Sequence, residues 1–153
     1  MNTHAPQTPP NRTDGALEGI TVIELCGARG HFMGKLMGDM GARVIKIEPM
    51  GGVSERQIGP FIDDEPHPDR SLFFWSHNTS KESLEINIET SEGQRVINLL
   101  ATTADVILED FAPGYLPSLG LGYRDLSKHN ERLVMTSLTA FGQDGPYLSL
   151  IHI

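Results

Sequence analysis

Apolar positions along the chain fall in short clusters divided by Gly, Pro and acidic residues. Ile20-Thr-Val-Ile-Glu-Leu25 is a β-branched run that reads as a buried strand. A Gly-containing loop leads from it into Phe32 to Met40, where apolar residues recur at helical spacing. Gly41 closes that helix, and Arg43 to Glu48 forms a second strand. The order strand, helix, strand predicts a parallel unit with a right-handed crossover. Pro49 to Arg70 holds too many Gly and Pro residues for regular structure and reads as a long loop, of a kind that is often functional. Ser71 to His77 is apolar and aromatic, and Ser83 to Ile88 alternates as a strand does. Ser91 with Gln94 forms a capping-box pattern opening a helix through Leu100. Asp105 to Glu109 and Leu133 to Leu138 complete the strands.

Strands alternating with helices predict an α/β fold, a Rossmann-like parallel sheet with flanking helices. Three segments run from strand into a Gly-, Pro- and acid-rich loop: Gly41 to Glu48, Ala104 to Gly114, and the loop segment Phe141 to Tyr147. Open α/β sheets place ligands at such junctions. The domain is expected over 17–147, preceded by a disordered polar tail, 1–16. Leu148-Ser-Leu-Ile-His-Ile153 has no cap, turn or charge, and matches one reading frame of a transposon-type sequencing adapter. It is expected to be non-native, with the natural chain continuing past it.

Composition narrows the function classes. A formal net charge of -8 over 153 residues argues against a nucleic-acid surface, which needs clustered Lys and Arg. The single cysteine, Cys26, excludes an internal disulfide, and no apolar run reaches the length of a membrane span. The N-terminus lacks signal-peptide and transit-peptide patterns, so a cytoplasmic location is expected.

Individual residues give weaker signals. Gly27, Gly30 and Gly34, with Glu48 ending the next strand, loosely suggest a dinucleotide site, but the spacing is not Gly-x-Gly-x-x-Gly. Gly30, Gly34 and Gly38 fall four apart on one helix face, which favours close helix-to-sheet packing. Gly34-Lys35 lacks the remainder of a phosphate loop. Cys26 beside His31 suggests a nucleophile, although a small buried thiol is the commoner explanation. The histidines show no metal-ligand spacing. At Asp110 to Gly114 the chain must turn sharply after a strand. The turn either offers free amides and the Phe111 ring to a ligand, or is a plain turn with Phe111 in the core.

The motifs Leu17 to Glu24, Gly41 to Pro49, Gly51-Gly52 with Arg56, Asn78-Thr-Ser-Lys81, Ala104 to Gly114, Leu119-Gly-Leu121 with Tyr123, Asn130 to Val134, and Phe141 to Tyr147 occur in one collinear order. In this the chain resembles the N-terminal part of the class III CoA-transferases, the CaiB/BaiF family, which also includes acyl-CoA racemases. The resemblance implies an interlocked homodimer with acyl-CoA and a carboxylic acid acceptor as substrates, and no prosthetic group. It implies CoA contacts at Ala28, Arg29, Pro49, Ile86, Asn87, Ile88, Glu89, Asp110, Phe111, Ala112 and Ser118, many through backbone. Pro49 stands where some members carry Arg, and Asp110 where Asn is usual. It further implies an Asp nucleophile beyond Tyr147, passing through an acyl anhydride and an aspartyl-CoA thioester, so that no catalytic residue is assigned within the chain. The competing readings are a racemase of the same family, a nicotinamide-dependent oxidoreductase, and a non-catalytic CoA-binding module.

Overall fold

A computed structural model describes residues 15–146; Tyr147 and the 148–153 tail lie outside them, as does most of the N-terminal polar tail. Gly15, assigned from sequence to that tail, packs against Gly41, to whose Cα a Cβ at position 15 would come within 2.8 Å. Five strands alternate with helices: β1 (Thr21–Leu25), α1 (His31–Asp39), β2 (Arg43–Glu48), α2 (Leu72–Asn78), β3 (Lys81–Glu85), α3 (Ser91–Ala101), β4 (Val106–Glu109), the one-turn helices α4 (Tyr115–Ser118) and α5 (Tyr123–Leu126), and β5 (Val134–Ser137). All strand pairs are parallel, in the order β3-β2-β1-β4-β5. This is the doubly wound order, with its switch point between β1 and β4.

The central strands β1, β2 and β4 are buried on both faces, which explains why they read as near-continuous apolar runs. On one face Ile23, Leu25, Ile45, Ile47 and Ile107 meet Ile97 and Ala101 of α3. Complete burial of Ile97 contributes about 1.5–3 kcal/mol. On the other face Val22, Cys26, Val44 and Leu108 pack with Met33 and Met37 of α1.

Several boundaries shift by a residue, and at β3 and α3 the difference has a specific cause. The third strand begins two residues earlier and ends at Glu85, because its register on β2 pairs Val44 with Lys81 and Glu48 with Glu85. Ile86 donates to Glu48 O at 2.8 Å and the chain then turns, so Ile86 to Glu89 is a strand-end loop despite its continued alternation. Helix α3 is capped by Thr90, whose hydroxyl accepts from Gly93 N at 3.1 Å, and not by Ser91. Within the long loop lie two short 3-10 turns, Ser54–Gln57 and Ile62–Asp64, and the aromatic run after it is α2, capped by Ser71.

The α1/α2 face carries charge as well as hydrocarbon. Glu24, with no exposed surface, lies 2.8 Å from Lys46 Nζ and 2.7 Å from Lys81 Nζ. Lys46 also donates to Cys26 O at 2.7 Å, and Lys81 to His31 O at 2.7 Å and Asn78 Oδ1 at 2.8 Å. Burial lowers the Lys81 pKa, against the pull of Glu24. The glycine stripe makes room for this network. A Cβ on Gly34 would lie 1.7 Å from Glu24 Oε2, one on Gly30 2.5 Å from Cys26 Sγ, and one on Gly38 2.9 Å from Ser80 O.

His31 stacks on His77 at 4.4 Å between α1 and α2, and its buried Nδ1 has no hydrogen-bond partner among the described residues. Burial, then His77 and the two lysines Lys46 and Lys81, lower its pKa from 6.5 to about 4, with Glu55 opposing.

Two stability predictions follow from this face, both for the full-length protein. Gly34→Ala should cost about 3 kcal/mol or more, since the methyl group collides with a buried ion-paired carboxylate. A parent-like urea midpoint would contradict the packing. His31 binds its proton more weakly folded than unfolded, so its contribution is whole above pH 6.5 and is lost as pH falls toward 4. Urea midpoints at pH 7.5 and 5 should drop less in His31→Asn than in the parent; an equal drop would show that His31 is not the titrating group.

Candidate functional site

Every parallel strand delivers its carboxyl end to one edge of the sheet. There the loops after β1 (Cys26 to Arg29), β2 (Pro49 to Gly52), β3 (Ile86 to Glu89), β4 (Asp110 to Gly114) and β5 (Leu138 to Gln143) converge. An open cleft of about 420 Å³ runs across the ends of β1 to β4. Pro49, Ile86, Asn87, Ile88, Glu89 and Phe111, all expected from sequence, line it together. Leu25, Ile47, Glu48, Met50 and Tyr115 also line it.

Phe111 combines the placements that the two readings of its turn expect. It is half-buried, packs against the core cluster, and still lines the cleft. Its ring sits 4.9 Å from that of Tyr115, whose hydroxyl donates to Glu89 at 3.1 Å. Tyr115 was not singled out from sequence. Its position just past Pro113-Gly114, four residues after another aromatic, was the available signal.

Two buried carboxylates fix the β4 loop. Glu109 Oε2 accepts from Phe111 N at 2.9 Å, and its Oε1 accepts from Gln143 Nε2 at 3.2 Å. The Phe111 amide is therefore occupied and is not a free donor for a ligand. Asp110 accepts from Gly27 N at 3.1 Å through both oxygens, joining the β1 and β4 loops across the switch point. Arg29 donates to Asp110 O at 2.5 Å. Arg29 and Ala112 line a second, smaller hollow of about 150 Å³ beside Phe111. Ala28 is exposed and Ser118 ends α4, its hydroxyl bonded to Tyr115 O at 2.7 Å; neither lines these hollows. A larger space of about 590 Å³ lies beside β5, α4 and α5, but Ala112 is the sole predicted residue on it.

Glu48 cannot serve as a ribose-binding acid. It accepts from Arg56 Nε and Nη2 at 2.7 Å each, from Ser83 Oγ at 2.5 Å and from Val53 N at 3.1 Å. Although burial opposes it, this bonding holds its pKa at about 2, and Arg56 in turn stacks 3.9 Å from the Phe74 ring. Cys26 is no nucleophile: it is buried, and burial with the charges of Asp110 and Glu24 pushes its thiol pKa far up.

Residues 17–151 match the sequence profile of CoA-transferase family III. Acetyl-CoA:oxalate CoA-transferase of Acetobacter aceti is 41% identical over 143 residues, covering 92% of this chain and 35% of the relative. Succinyl-CoA:(R)-benzylsuccinate CoA-transferase subunit BbsE of Thauera aromatica is 37% identical over 82% of this chain and 30% of its own length. The chain thus spans about a third of these relatives. Among solved structures, a CAIB/BAIF family protein from Brucella suis superposes with a TM-score of 0.79 at 34% identity, over 88% of this chain and 36% of that one.

The Asp110 clamp makes a graded prediction. Asp110→Ala strands the Gly27 amide and should cost about 1–3 kcal/mol, whereas Asp110→Asn keeps an acceptor and should cost less. Equal urea midpoints for the two variants of the full-length protein would show that the Gly27 bond carries no weight.

Proposed function

The chain belongs to CoA-transferase family III, and from that premise we propose that the parent protein moves CoA from an acyl-CoA thioester to a free carboxylic acid, the CoA moiety lying along the carboxyl ends of β1 to β4. The observation that carries this reading is the convergence of Pro49, Ile86 to Glu89 and Phe111 on one cleft at the switch point. Open α/β sheets bind ligands in that position. The cleft suits a long, mostly apolar arm with polar ends. Leu25, Ile47 and the Phe111 ring offer hydrocarbon, and Asn87 and Glu89 offer polar groups at the mouth.

In this reading Ala28, Arg29, Asp110 and Ala112 lie toward the thioester, and Ser118 marks the outer limit of the path along α4. The reaction proceeds by covalent steps on an aspartate supplied by the remainder of the chain. A carboxylate is a weak nucleophile, so positioning and oxyanion stabilisation must supply most of the acceleration. The full-length protein works as an interlocked homodimer in the cytoplasm. Supporting the dimer, β3 is largely exposed and is an open sheet edge. No helix among the described residues is long and apolar enough to cross a membrane.

Full-length protein given an acyl-CoA and a panel of carboxylic acids should form the new acyl-CoA, detected by mass spectrometry. Phe111→Ala should raise the KM for the donor about tenfold, through loss of an aromatic contact. Failure to bind CoA in calorimetry, or an unchanged donor KM in Phe111→Ala, would refute respectively the activity and the placement of the cleft.

A further inference from the structure

Resting on that reading, we propose that Arg29 and Thr139 form a subsite for the distal carboxylate of a short dicarboxylic acyl group. The hollow of about 150 Å³ beside Phe111 is lined by the loops after β1, β4 and β5. Phe111 lines both this hollow and the CoA cleft, so the hollow continues the path past the ring, where the acyl end of a thioester would lie.

Its chemistry is specific. Apart from Arg29 and Thr139, its walls are Phe111, Ala112, Pro113, Ala140, Phe141 and Gly142, which bring no charged side chain. The Arg29 guanidinium is held from one side by its bond to Asp110 O at 2.5 Å. It comes only to 4.0 Å from the Asp110 carboxylate, whose two oxygens both accept from Gly27 N. Its side chain keeps 66% of its surface exposed. A guanidinium has five N–H donors, so anchoring one leaves an edge for a planar carboxylate. Thr139 Oγ1 is buried with no hydrogen-bond partner among the described residues, and a buried hydroxyl calls for one. A fixed cation, an orphaned hydroxyl and short apolar walls fit a carboxylate on a few methylenes better than a simple alkyl chain. Two relatives are named for oxalate and for benzylsuccinate, both dicarboxylates.

A phosphate of CoA would also attract Arg29, and the test separates the two. With full-length protein and acetyl-CoA as donor, kcat/KM is measured for succinate and for butyrate in the parent, Arg29→Lys, Arg29→Met and Thr139→Val, alongside calorimetry with free CoA. The succinate-to-butyrate ratio should fall about tenfold or more in Arg29→Met, chiefly through the succinate KM, less in Arg29→Lys, and several-fold in Thr139→Val. A CoA contact made by the Arg29 side chain would lower succinate and butyrate transfer alike and leave the ratio unmoved. An unmoved ratio in Arg29→Met or a parent without preference for succinate overturns the subsite. A parent that binds no CoA overturns the functional reading as well, whereas transfer with an unmoved ratio overturns the subsite alone.

Discussion

The buried carboxylate of Glu24 is the constraint around which this sheet is arranged. It sits fully covered in the central strand between the ammonium groups of Lys46 and Lys81. Such an arrangement stabilises little in net terms, because desolvating the ions costs about what their attraction returns, but removing one partner costs about 3–5 kcal/mol. The network therefore acts as a registry device. It ties β1 to β2 and β3, draws the end of α2 in through Asn78, and requires a glycine on α1 where any side chain would strike the carboxylate. One strand end further along, Glu48 with Arg56 and Ser83 repeats the device and fixes the start of the long loop.

With the strand ends fixed, the site needs few dedicated side chains. Glu109 and Asp110 each use a carboxylate to hold a neighbouring loop, on Gln143 and Phe111 in one case and on Gly27 in the other. What remains for a ligand is a cleft floored by strand residues and edged by loops, with Phe111 on its wall. Tolerance of side-chain change there follows. Pro49 lines the cleft by position, and Asp110 acts on a backbone amide that an asparagine would also serve.

Much of the architecture was legible because parallel strands buried on both faces leave continuous β-branched runs, as at Ile20 to Leu25 and Arg43 to Glu48. The glycine stripe on α1 was legible too, since spacing alone shows a close approach, although not that a carboxylate lies opposite. The limits of β3 were not. Alternation runs on through Ile88, and the end at Glu85 is set by pairing with Glu48, a tertiary fact. Glu48 invited a ribose-binding interpretation because Ser83 is distant in sequence and spacing alone does not show the long loop folding Arg56 back onto the strand end. Arg29 and Thr139 could not be joined from sequence, for their hollow exists only where the β1, β4 and β5 loops meet.

The central claim is that CoA lies across the carboxyl ends of β1 to β4. Hydrogen–deuterium exchange of the full-length protein, with and without CoA, tests it without altering the molecule. The account predicts slowed exchange concentrated in the loops following β2, β3 and β4, around Met50, Asn87 to Glu89 and Ala112. Protection confined to other parts of the protein, with these loops exchanging at their free rates, would contradict it.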